Sequence, residues 1–147
     1  MALNRAFRID ETTEGREPPG GGLDLSELVG TWVNTDYGSS GGTLRYELSH
    51  RDGQLVVRGF GAGDPEGDGQ GEAFDWGETE ATPLAQTVTE TRAWAFSCRF
   101  DFGFSSTEIA AYTKEGILIA ASFNQFSDGS DRADYWTREF FYRERGA

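Results

Sequence analysis

The chain has 147 residues, 37% of them hydrophobic, a formal net charge of −12 and one cysteine. That length fits a single domain with one core, and the negative charge disfavours nucleic acid and anionic membrane surfaces as partners. A lone Cys98 excludes an internal disulfide and a thiolate metal cluster, so it reads as a small buried hydrophobe.

Residues 1–22 mix Arg5, Arg8 and Arg16 with Asp10, Glu11, Glu14 and Glu17 and end in PPGGG. Mixed charge with few apolar side chains cannot offset the entropy of ordering, which makes this stretch a disordered arm ahead of a domain over 23–147. The arm lacks the apolar run of a signal peptide and nothing downstream approaches a membrane span, a pattern that points to the cytoplasm. LDLSELVG, residues 23–30, predicts one short helical turn with Asp24 or Ser26 as its cap and Gly30 as its stop.

From Thr31 the dominant hydrophobic period is two, the period of a strand. TLRYELS sets Leu44, Tyr46 and Leu48 on one face and Arg45 and Glu47 on the other. Asp52-Gly53 supplies the positive backbone angles of a tight hairpin, and QLVVRGFGAG returns as its partner strand. After an acidic, glycine-rich interruption, FDWGETEAT resumes extended structure. RAWAFSCRFDFGF alternates most clearly, with Trp94, Phe96, Cys98, Phe100 and Phe102 on one side and Ala95, Ser97, Arg99 and Asp101 on the other. STEIAAYT, a KEG turn and ILIAASFNQF form a further hairpin, and SDGSD leads into the last strand, RADYWTREFFYR. About eight strands joined mostly by short turns predict an all-β fold, a single antiparallel up-and-down β-barrel; closure is favoured over a sandwich because it removes both edges.

A Gly-Thr-Trp triplet after a short turn, heading the first strand of such a chain, resembles the calycin superfamily of lipocalins and their barrel relatives. The resemblance implies that Trp32 plugs the closed end of the barrel and that an arginine of the last strand, Arg138 or Arg143, packs across it. A guanidinium laid on an indole gains cation–π energy while its donors reach backbone carbonyls. GTWVNTDYGSS also resembles the opening hairpin of avidin-type barrels, with Asn34, Gly38 and Ser39 near the expected places. More broadly, LVGTWVN, DWGE and a DGS turn before the last strand are similar to bacterial lipocalin-like domains over residues 28–143.

An eight-strand barrel is wide enough to hold one small ligand, so side chains that fill its core can also line a site. The candidate ligand-binding set is Trp94, Phe96, Phe100, Phe102, Trp136, Arg138, Phe140 and Tyr46. On the last strand Asp134, Trp136, Arg138, Phe140 and Tyr142 share one face, and Tyr135, Thr137, Glu139, Phe141 and Arg143 the other. Both faces mix charge with aromatics, so alternation does not choose between them. An inward Arg138 would anchor a carboxylate or enolate beside Trp136; Ser122 and Asn124 read as outward.

In DPEGDGQGEAFD, Asp64, Glu66, Asp68, Glu72 and Asp75 fall at oxygen-ligand spacings of a calcium loop. Proline at the second place, a final Asp and the lack of flanking helices favour an acidic solvated loop, so no metal is assigned. The single histidine, His50, stands beside a turn, leaving no base for a Ser-His or Cys-His pair, and no phosphate loop opens a helix.

These features predict a cofactor-free monomer or homodimer that binds a small, largely apolar molecule in an aromatic-lined cavity. The alternative is a cofactor-independent cyclase or isomerase that folds a polyene or polyketide-like natural-product intermediate inside the barrel. Its candidate catalytic groups are Arg138, Tyr142 and Tyr46.

Overall fold

The computed structural model describes residues 22–36, 42–61 and 74–145. The arm expected over 1–22, Gly22 excepted, therefore lies outside the described residues, as do Asp64, Glu66, Asp68 and Glu72 of the calcium-like stretch.

Eight strands follow in chain order: β1 (Gly30–Asn34), β2 (Thr43–Arg51), β3 (Gln54–Gly61), β4 (Phe74–Leu84), β5 (Ala95–Asp101), β6 (Ser105–Lys114), β7 (Ile117–Phe126) and β8 (Tyr135–Arg143). Each pairs antiparallel with the next, and β1 pairs with β8, so the sheet closes into the expected up-and-down barrel. Closure rests on Trp32, Val33 and Asn34 opposite Arg143, Tyr142 and Phe141. It is extended at both ends by backbone bonds from Thr35 N to Phe140 O at 2.9 Å and from Glu144 N to Thr31 O at 2.7 Å. No helix forms among the described residues, and none is long and apolar enough to cross a membrane.

Two tight turns reverse the chain at the end where β2 passes to β3 and β6 to β7. Asp52 and Gly53 have φ of 51° and 78°, and Glu115 and Gly116 have 53° and 81°. Two successive positive angles give the twist that matches right-handed strands, and Gly supplies one of each pair without a Cβ penalty.

The period-two pattern points Phe96, Phe100, Ile109, Ala111, Leu118 and Ala120 into the barrel, where they join Leu48, Leu55 and Val57 in one core. Leu44 does not join them. A register shift between Thr43 and Arg45 inserts an extra residue, so Thr43 and Tyr46 are buried while Leu44 is half-buried outside the core cluster.

The turn expected in LDLSELVG is present: Leu28 N and Val29 N donate to Leu25 O at 2.9 and 3.0 Å, and Asp24 Oδ1 caps it by accepting from Ser26 N at 2.9 Å. It carries Leu25 and Leu28 over one end of the barrel, and an isolated bridge from Asp24 to Arg92 ties it to the β4–β5 connection.

Candidate functional site

The two ends of the barrel differ in chemistry. At the closed end Trp32 is buried, its indole Nε1 donates to Leu28 O at 2.8 Å, and the Arg143 guanidinium lies 4.7 Å from its ring. Arg143 also donates to the carbonyls of Ser26 (3.4 Å) and Glu27. Of the two arginines open at the sequence level, Arg143 therefore packs on the plug; Arg138 lies exposed on the outer face, its guanidinium 5.6 Å from the Phe140 ring.

At the open end the interior turns polar. Asn34, Thr43, Ser105, Thr107 and Ser122 are buried there, and together with Asn124, Thr137 and Glu139 they come from β1, β2, β6, β7 and β8. Glu139 is the only carboxylate lining the recess among the described residues, and it is held on two sides: Asn34 Nδ2 donates to Oε2 at 2.7 Å and Thr43 N to Oε1 at 3.4 Å. Gly42 lies so close that a Cβ there would meet Glu139 Oε2 at 2.6 Å. Across the recess Thr107 Oγ1 donates to Asn124 Oδ1 at 2.7 Å, and Asn124 Nδ2 reaches Tyr135 O at 3.4 Å.

Between these groups lies a cavity of about 60 Å³, walled by Trp76, Ser122, Asn124, Tyr135, Thr137 and Glu139. Behind the lining residues Thr43 and Ser122, the buried Tyr46 hydroxyl sits beside their hydroxyls, yet neither Tyr46 Oη nor Ser122 Oγ completes a hydrogen bond. Full burial holds the Tyr46 phenol well above its ordinary range, so it stays protonated and can donate. Two buried hydroxyls without protein partners carry a desolvation cost, which a ligand atom bonded to them would relieve.

Trp76 closes one side. It is a bulge residue: β3 pairs Gly59 with Gly77 and then Phe60 with Asp75, which turns the indole inward. Glycines at 59 and 61 leave the room it occupies, since a Cβ at Gly61 would come 2.7 Å from Trp76 Nε1 and one at Gly59 would overlap the ring. The indole packs edge-on against Phe100 and Phe102, with centroids 5.4 and 5.7 Å away, and against Tyr46 at 6.2 Å. Here β4 and β5 are not hydrogen-bonded; they pair only from Thr82–Leu84 to Ser97–Ala95, and the aromatic cluster fills the seam above.

Of the candidate residues, Tyr46, Phe96, Phe100 and Phe102 face the interior, Phe96 deep in the core and Phe100 and Phe102 near the mouth. Trp94 lies just before β5 and outside the core, half-buried, with Arg92 5.7 Å from its ring. Trp136, Arg138, Phe140 and Tyr142 are exposed on the outer face of β8, because Thr137, Glu139 and Phe141 take the inner positions. They do not line the cavity, and among the described residues no arginine does. Ser122 and Asn124, expected outside, point in, continuing the inward row Leu118–Ala120. Trp76, Thr43 and Glu139 were not singled out from the sequence; glycines at alternate positions of β3 are the one signal that a large side chain approaches there.

Cys98 faces the interior, where burial pushes its thiol up to about 12 and keeps it protonated. His50 is exposed, and among the described residues no three His, Cys, Asp or Glu side chains gather to hold a metal ion. Asp75, the last position of the calcium-like stretch, is engaged by Arg58 and by Gly77 N at 2.9 Å.

The fold and site together define a closed eight-strand up-and-down β-barrel, plugged by a tryptophan–arginine pair at one end and carrying a polar recess at the other. No family model, curated protein or solved structure matches the chain.

Proposed function

We propose that this protein is a small-molecule-binding barrel, a member of the calycin superfamily that takes its ligand at the open end. The single observation that carries the reading is the pair of buried, unpartnered hydroxyls, Tyr46 Oη and Ser122 Oγ, beside a cavity already furnished with Asn124, Thr137 and Glu139. The Trp32–Arg143 plug supports the kinship.

The residues also narrow the ligand. A cavity of about 60 Å³ takes a compact polar head group rather than a folded polyene. Below it the barrel is filled by the core from Phe141 and Tyr46 down to Trp32. The head group meets hydroxyl donors at the floor and acceptor oxygens of Glu139 and Asn124 at the wall, with no cation among the lining residues. This favours a neutral or cationic head group over a carboxylate. The apolar remainder of the ligand rests on Trp76, Phe102 and Tyr135, which supply rigid aromatic surface at the mouth. Binding in the cytoplasm is consistent with a single, partly buried free cysteine.

The test is native mass spectrometry of the protein purified from its own host, followed by organic extraction. A stoichiometric small molecule on the wild type that is lost from Ser122→Val and Tyr46→Phe supports the reading. A ligand retained by both variants places binding elsewhere and overturns it.

A further inference from the structure

The outer face of β6, β7 and β8 is the part of the surface that the barrel's own architecture does not explain. Cross-strand register arranges its outward side chains in rows: Tyr112–Ile119–Phe140, then Ala110–Ala121–Arg138, then Glu108–Phe123–Trp136, with Ile117 and Tyr142 beyond the first row. Tyr112, Phe123, Phe140 and Tyr142 are each exposed by between 41% and 48%, and Trp136 by 64%. Five half-exposed aromatic rings present about 500 Å² of apolar surface before the isoleucines and alanines are added. That exceeds the few hundred Å² of contiguous apolar patch typical of a monomer and approaches the ~800 Å² per partner of a stable interface.

The relief of this face is complementary to itself. A two-fold along β7 sets each row against its own counterpart reversed, which places the long Arg138 end of the middle row opposite its small Ala110 end and the aromatic ends of the first row opposite each other, as an isologous contact requires. We propose that this face binds a second copy of the chain about a two-fold axis running along β7. Such an axis lays β8 of each copy over β6 of the other. Phe140 then stacks on Tyr112 of the partner subunit, and the Arg138 stem crosses the small Ala110 of the partner subunit. Its guanidinium lies one row, ~7 Å, from Glu108 of the partner subunit. Arg138 has no salt bridge among the described residues, only the Phe140 ring 5.6 Å away, and Glu108 stands at the rim, where Arg99 meets it at 3.3 Å. The dimer thus gives the central cation of the patch a carboxylate and covers the aromatic rows on both copies. It is independent of the ligand site, which opens at the end of the barrel.

Sedimentation equilibrium on the full chain at roughly 10 µM, where an association of micromolar strength is well developed, reads the outcome directly. The expected mass is twice the 16.2 kDa of one chain. Phe140→Glu and Arg138→Glu each weaken association at least tenfold, and Arg138→Glu combined with Glu108→Arg restores it. Thr82→Glu, on the outer face of β4, leaves it unchanged. Circular dichroism confirms that the variants keep the barrel. Should Phe140→Glu fail to fold, the exposed Arg138→Glu and its charge-swapped partner carry the test. A wild-type chain that stays monomeric at roughly 100 µM, or one that dimerises equally well with Arg138→Glu, overturns the proposal. So does a monomer that uses these aromatics to bind lipid vesicles or a different protein.

Discussion

Tyr46 occupies the point where core and site meet. Its ring packs 5.0 Å from Phe141 and forms part of the buried core, while its hydroxyl emerges among polar groups without a partner. Removing that hydroxyl while keeping the ring tests which role matters. Because an unsatisfied buried hydroxyl costs about 1–3 kcal/mol, Tyr46→Phe is expected to leave the ligand-free protein unchanged or more stable by about 1 kcal/mol in urea denaturation. A clear loss of stability would mean that the hydroxyl is already satisfied within the protein. Trp32 is the opposite case, buried and satisfied on every side. Trp32→Ala is expected to cost about 3–5 kcal/mol, the scale of large-to-small aromatic changes in a core. A near-neutral result in the same denaturation series would remove the plug from the account.

At the scale of strands and turns, fit between neighbours dominates. Gly59 on β3 has no side chain because the Trp76 indole lies where its Cβ would be. Gly59→Ala is expected to expel Trp76 from the mouth, visible as a red shift of tryptophan emission and a loss of about 1–3 kcal/mol. Unchanged emission would show that the indole is not wedged there. Glu115 adopts φ of 53°, a left-handed conformation that asparagine tolerates better, so Glu115→Asn is expected to raise stability by up to about 1 kcal/mol in a thermal melt. In the β7–β8 loop, Asp128 is held at about 2 by the hydroxyl and backbone N–H of Ser130, with Arg132 adding a further bond at 2.6 Å. Since the folded loop depresses this carboxyl, the bonds are intact above its ordinary value and are lost as pH falls through about 2. An amide titration of Ser130 by NMR should show the transition there; a midpoint near 4 would mean that the loop is not held this way.

Strand legibility followed the same logic of fit. β5 could be read from alternation because Phe96 and Phe100 point one way and Ser97 and Arg99 the other; β7 was legible only in part, because it carries Ile117, Ile119 and Phe123 outside and Ser122 and Asn124 inside. β8 could not, because its outer face carries Trp136, Phe140 and Tyr142 while its inner face carries Thr137 and Glu139, the reverse of the usual pattern. That inversion conceals the polar wall of Thr137 and Glu139 in the sequence and makes Arg138 read as a candidate. The bulge at Trp76 was equally opaque, since it depends on a register set by the glycines of the neighbouring strand.

For the molecule as a whole, the net charge of −12 opposes compaction, and the surface ion pairs of Arg51 with Glu78 and Arg58 with Asp75 are exposed and contribute little. Burial inside the closed sheet, not surface charge, holds the barrel together. The plugged end was legible in the sequence because a single Gly-Thr-Trp triplet and a short turn place it. The open end was not, because its groups converge from β1, β2, β4, β6, β7 and β8, and only closure of the sheet brings them within reach of one another. The central claim, that this end receives a ligand, is tested most directly by soaking crystals of the protein with a chemically diverse set of small fragments. Fragments with a compact polar head are expected to settle beside Tyr46 Oη and Ser122 Oγ, with their apolar parts against Trp76. Fragments that bind elsewhere while this recess stays closed to all of them would contradict it.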